Sequence, residues 1–179
     1  MIRCIKRAAA LRALTAAALT FSASAAVAAP SEYEVKAAFL VNLVRFVEWP
    51  FAEGPNTIVV IEPTPFGRLL ETAAADATLP VRLVVKSIAA SDPVPPCRIV
   101  FAGKGSGAAG REAIAATDLG TLTVGETEEF LARGGIVRLA VIQGRVRVEI
   151  NVDAAERSGL RMSSKLMKVA TLRHEKDLR

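Results

Sequence analysis

The chain has 179 residues, 23 of them basic and 18 acidic, for a formal charge of +5. Four of the basic residues fall within the first 28, which hold no acid, so the remainder sets 19 bases against 18 acids and is nearly neutral. That balance excludes a nucleic-acid reading built on overall basicity, since phosphate binding needs an excess of Lys and Arg on the folded part.

The opening "MIRCIKRAAALRALTAAALTFSASAAVA" carries Arg3, Lys6, Arg7 and Arg12, then an Ala/Leu-rich run to about Phe21, then Ala26-Val27-Ala28 as a small-x-small cleavage site. The pattern predicts a secretory signal peptide over residues 1–28 and a single domain over residues 29–179. Its apolar run is too short and too Ala-rich for an uncleaved anchor. The predicted domain has 151 residues, enough for one well-filled core. It keeps one cysteine, Cys97, so no internal disulfide is available and apolar burial must hold the exported fold.

The elements follow in chain order. In "PSEYEVKAAFLVNLVRFVEWP", Ser31 and Glu34 form an S-x-x-E capping box, with Glu32 and Glu34 at the positive end of the helix dipole. Residues 33–49 are apolar nearly all round, which predicts one mostly buried helix ended by Pro50. "TIVVIEP" reads as a buried strand, and Thr64-Pro65 as the start of a helix through about Ala77. Strands are expected at "VRLVVKSI", "CRIVFAGK" and "TLTVGE", with a helix around residues 111–117 and a short one in "TEEFLARGG" closed by glycine.

The stretch "IVRLAVIQGRVRVEIN" reads as two strands around Gln143-Gly144. The second alternates, with Val146, Val148 and Ile150 on one face and Arg145, Arg147, Glu149 and Asn151 on the other, which predicts an antiparallel hairpin at the sheet margin with that second face in water. "VDAAERSG" and "SSKLMKVATL", the latter capped by Ser163, are expected as closing helices. Together the elements predict an α/β fold, a mainly parallel sheet sandwiched by helices, with a C-terminal antiparallel β-hairpin.

Chemistry is harder to find. Gly105-Ser106-Gly107-Ala108-Ala109-Gly110 is a literal G-x-G-x-x-G between a predicted strand and helix, and Glu126 closes the next strand. In a dinucleotide site such glycines admit a pyrophosphate and the acid holds a ribose hydroxyl. An exported chain meets little free dinucleotide, so a tight β-α turn is the expected reading and a nucleotide-binding enzyme the alternative. His174 is the sole histidine and lies in a polar tail, so neither a zinc site nor a Ser-His-Asp triad assembles easily. Spacing singles out no pair among Glu62, Glu126 and Glu149. Cys97 reads as a small buried residue, with an intermolecular disulfide as its functional alternative.

Four stretches, in order, carry a family resemblance: "EYEVKAAFLVNLVRFVEWP", "PCRIVFAGK", "TLTVGETEEFLARGGIV" and "GRVRVEINVDAAERSGLRMSSKLMKVATL". They resemble the YfiR-type periplasmic protein family and span about Tyr33 to Leu172. The residue inventory above offers no catalytic residues, cofactor or metal site, and the resemblance implies an exported, often dimeric α/β domain. It implies a regulator that binds the periplasmic part of an inner-membrane signalling protein, as the best-known member restrains the diguanylate cyclase YfiN and is sequestered by an outer-membrane lipoprotein, YfiB. The output would be lower cyclic-di-GMP and less biofilm. The chain departs from the pattern in having one mature cysteine and in reading "GKGSGAAG" where relatives carry a polar stretch. Phe46 and Trp49, as aromatic anchors, and Arg145, Arg147, Glu149 and Asn151 on the hairpin are the candidates for partner contact. The plainer readings stand beside them: interior packing for the two aromatics and a solvated, charge-guarded edge for the hairpin.

Overall fold

The computed structural model describes residues 30–50, 54–75 and 78–178. The expected export signal, residues 1–28, lies outside them. Among the described residues no helix is long and apolar enough to cross a membrane.

Helix α1 spans Glu32–Asn42 and starts as its capping box dictates. The Glu34 N–H donates to the Ser31 hydroxyl at 3.3 Å, and the Ser31 N–H donates to the Glu34 carboxylate at 2.6 Å. The helix does not reach Trp49. It tightens into one 3-10 turn at Leu43–Arg45, and Val47–Glu48 forms strand β1 against Arg161–Met162. Val44, Phe46 and Val47 are weak helix formers, and a strand partner is at hand, so the chain leaves the helix after Asn42 and extends beyond the 3-10 turn.

Strand β2 (Thr57–Glu62) leads through helix α2 (Gly67–Ala74) to β3 (Val84–Ala89), then β4 (Ile99–Ala102), helix α3 (Gly107–Ala115) and β5 (Leu122–Gly125). Helix α4 (Glu128–Ala132), β6 (Val137–Ile142), β7 (Arg145–Asn151), α5 (Val152–Arg157), β8 (Arg161–Met162), α6 (Ser164–Val169) and β9 (Thr171–Arg173) follow. The seven-stranded sheet runs β3-β2-β4-β5-β6-β7-β9, and β1 pairs with β8 apart from it. Every pairing from β3 to β6 is parallel, β6–β7 is antiparallel and β7–β9 parallel. The central strands are apolar without alternation because both faces are covered. Ile58, Val60, Ile99 and Phe101 enter the core shared with α1 and α2, whereas Val59, Ile61 and Val100 meet Ile114 of α3 and Phe130 of α4.

Other boundaries also differ from the sequence expectation. Helix α2 begins at Gly67 and not at Thr64, because the Thr64 N–H turns back to the Glu62 carboxylate at 2.6 Å. Helix α3 begins at Gly107, four residues early. The last helix stops at Val169, and Thr171–Arg173 adds to the sheet beside β7. The hairpin itself forms as expected, and Gln143 and Gly144 both take positive φ, 51° and 70°, in the two-residue turn that matches strand twist. It is not the sheet margin, because β9 covers it.

The order β3-β2-β4-β5-β6 is that of a doubly wound sheet of the flavodoxin type, whose ligand crevice opens at the carboxyl ends of the strands where the winding reverses, here between β2 and β4. The chain's own groups fill that place. A Cβ on Gly105 would lie 2.7 Å from the Pro63 carbonyl oxygen, so the loop after β4 closes directly on the loop after β2. Glu126, at the end of β5, accepts the Lys104 N–H at 2.9 Å and pairs with Lys36 of α1.

Candidate functional site

Helix α1 is apolar nearly all round because it presents two apolar faces. Lys36, Ala37, Leu40 and Val41 point into the protein. Val35, Ala38, Phe39, Asn42 and Phe46 recur at helical spacing on the outer side and line an apolar groove of about 430 Å³. Phe39 is 37% exposed and is the large apolar side chain at its centre. Pro30 and Val35 also line a second groove of about 400 Å³, whose other wall is Val141, Arg145 and Val146 of the hairpin. Val141 and Ile142 are exposed at the hairpin end. One surface therefore runs from Phe46 along α1 to Arg145, apolar at the centre with Glu34, Glu32 and Arg145 at its edge.

The sequence candidates divide around this surface. Phe46 is half-buried on the groove, and Arg145 and Arg147 are exposed. Trp49 lies elsewhere, half-buried beside Cys97, with the Arg98 guanidinium 5.0 Å from its ring centre. Phe46 and Trp49 thus belong to different depressions, since the chain between them is extended rather than helical.

Glu149 and Asn151, expected in water, are enclosed at 3% and 0% exposure. Alternation puts them on the second face of β7, but the Arg138 and Arg173 side chains from the two neighbouring strands close over Glu149, and α4 lies against Asn151. Glu149 accepts from Arg138 at 2.8 Å and from Arg173 of β9 at 3.4 Å. Asn151 caps α5 by accepting the Ala154 N–H at 3.0 Å and donates to the Leu131 carbonyl at 3.3 Å. Both hold the sheet together from inside. Cys97 is buried, and desolvation, helped by Asp118, pushes its thiol up to about 11. A group so protonated and enclosed is a poor start for an intermolecular disulfide.

The G-x-G-x-x-G loop is used for packing. A Cβ on Gly110 would lie 2.3 Å from the Ser106 hydroxyl oxygen, and Gly105 abuts Pro63. Glu126, which a dinucleotide site would turn toward a ribose, is 3% exposed and held by Lys36. Burial pulls the Lys36 ammonium toward neutrality, but its hydrogen bonds to Glu126 and Glu32 outweigh that and raise its pKa. Sequence reading missed Phe39, Val141 and the Lys36–Glu126 pair. The spacing of Val35, Ala38, Phe39 and Phe46 was the available signal for the first; the pair spans 90 residues and left none.

A family model described as YfiR/HmsC-like matches residues 33–171, most of the chain. No curated protein matches it. Among solved structures, a conserved domain protein from Vibrio cholerae O1 biovar El Tor shares the fold with a TM-score of 0.53 at 16% identity. The match covers 78% of this chain and 59% of that one, so this chain spans about three-fifths of its length.

Proposed function

Because the chain belongs to the YfiR/HmsC-like family, we propose that it is an exported, non-enzymatic regulator that binds the periplasmic part of an inner-membrane signalling protein. The partner is a diguanylate cyclase or a similar sensor, and binding restrains it and lowers cyclic-di-GMP. Family membership over residues 33–171 is the observation that carries this reading. The geometry supports binding over chemistry, since the crevice of the doubly wound sheet is closed by Pro63, Gly105 and Glu126 while an apolar surface on α1 stands open. Capture of the partner in its inactive form shifts its equilibrium by differential affinity alone. Phe39 and Phe46 anchor the contact and Arg145 orients it.

The test is cellular cyclic-di-GMP in a strain lacking the protein, restored with the full chain or with residues 29–179 alone. The expected result is a rise on deletion that only the exported form reverses. An unchanged level in all three strains overturns the proposal.

A further inference from the structure

Beyond β7 the chain holds no acid from Arg157 to His174, while Arg157, Arg161, Lys165, Lys168 and Arg173 fall in that run. Two of these are engaged within the fold, Arg157 with Glu175 and Arg173 with the enclosed Glu149. Arg161 stands opposite Glu48 across the β1–β8 pair. Lys165 and Lys168 are exposed and make no ion pair among the described residues.

Apolar side chains stand beside these two lysines. Leu166 is the one buried residue of α6, so the outer side of that helix carries Lys165, Met167 and Lys168. Met167 is 37% exposed, Val169 73% and Leu172 42%, three large apolar side chains within residues 167–172. Single exposed apolar residues are ordinary, but a group of them is not. Because β7 and β9 run parallel with Glu149 beside Thr171, Arg147 and Val169, each two residues earlier, lie at the same end of the pair. Arg147 is exposed and likewise makes no ion pair among the described residues.

The sheet ends at β9, and lysines commonly guard such edges against association. Guarding does not account for Val169 and Leu172, which set apolar surface beside the charges. A second copy docked face to face would oppose Lys165 and Lys168 to their own counterparts. An anionic phospholipid surface suits both features. It attracts the free cations, and its fluid interface accepts protruding apolar side chains without a matching groove.

We infer that this face, Lys165, Met167, Lys168, Val169 and Leu172 with Arg147 at its border, docks the protein on an anionic phospholipid bilayer. The cations stay among the headgroups while Met167, Val169 and Leu172 enter the interface below them. With three charges and three apolar side chains, the contact is peripheral and reversible. It is separate from the α1 surface and does not rest on the partner proposed for that surface.

The protein is mixed with vesicles of phosphatidylglycerol and phosphatidylcholine, with vesicles of phosphatidylcholine alone, or with polyglutamate, and amide hydrogen exchange is followed peptide by peptide. Both the full chain and residues 29–179, which contain every described residue, are used, because Arg3, Lys6, Arg7 and Arg12 attract anionic vesicles by themselves. The expected result is saturable protection of residues 164–173 by the anionic vesicles only, weakening as salt rises. Each base near an anionic surface strengthens binding about fivefold. Lys165→Gln combined with Lys168→Gln should therefore raise the half-saturating lipid concentration of the shorter chain about twenty-five-fold. Val169→Asp should also weaken binding, and Lys86→Gln, on β3 at the far edge of the sheet, should change nothing. Protection that is absent, equal with phosphatidylcholine alone, or unchanged in the double lysine variant overturns the inference. Protection by polyglutamate without vesicles also overturns it and assigns the face to an acidic protein.

Discussion

Lys36 reaches from α1 across the top of the sheet to Glu126 at the end of β5, and the side chains of the pair are 0% and 1% exposed. Replacing Lys36 with Met leaves Glu126 enclosed without its cation and should cost about 3–5 kcal/mol. Adding Glu126→Gln, which keeps an acceptor for the Lys104 N–H, should recover part of that loss. Urea unfolding of the two single variants and the double variant checks both statements; additive losses would show that the pair is not coupled.

Stability should fall on acidification. The Lys36 hydrogen bond lowers the Glu32 pKa, the Ser31 N–H lowers that of Glu34, and the Glu175 N–H, then His174, lower that of Asp153. A carboxyl whose folded pKa lies below its unfolded value stabilises above the unfolded pKa and stops doing so as pH falls through the folded one. The loss should therefore begin below pH ~4, where free carboxyls titrate. Lys36 has the opposite sign, contributing until pH rises through its raised value. Melting temperature from neutral pH to pH ~3 tests the acid limb.

The α1 surface and the Trp49 site should separate by mutation. Phe39→Asp, on an exposed position, should change stability by about 0.5 kcal/mol or less while abolishing association. Trp49→Ala, at a half-buried residue packed on the main core, should cost about 2–3 kcal/mol and leave association intact in the folded fraction. Denaturation midpoints combined with crosslinking to the envelope partner distinguish them. The reverse pattern would move the contact to Trp49.

Gln143 adopts φ 51° without being glycine. Gln143→Asn, a residue that tolerates this region, should stabilise the hairpin by about 0.5–1 kcal/mol in a urea midpoint.

Local signals made much of this fold readable. The Ser31–Glu34 box, the Gln143-Gly144 turn, the Val152–Arg157 helix and the uninterrupted apolar strands are all set by neighbours a few residues apart. The failures share one cause. Alternation placed Glu149 and Asn151 on the second face of β7, but whether they are wet depends on Arg173 of β9 and on α4, which reach them from elsewhere in the chain. Residues 43–49 continue the apolar pattern of α1, and only a distant partner, Arg161–Met162, makes two of them a strand. The proposed docking surface was half legible, through Phe46 and Arg145, because outward apolar spacing on α1 is masked by the apolar face beneath it.

Helix α1 comes before everything it packs on. Its inner face rests on α2 and β7, and its one enclosed cation waits for an acid 90 residues later. A chain threaded across a membrane with this end leading would present α1 first, with both apolar faces bare and Lys36 paired with Glu32 alone. Parallel pairing over long separations is slow to form. Molecules threaded in this way should therefore spend their most aggregation-prone interval before β7 has emerged, and a holdase that grips α1 would protect them until the sheet is complete.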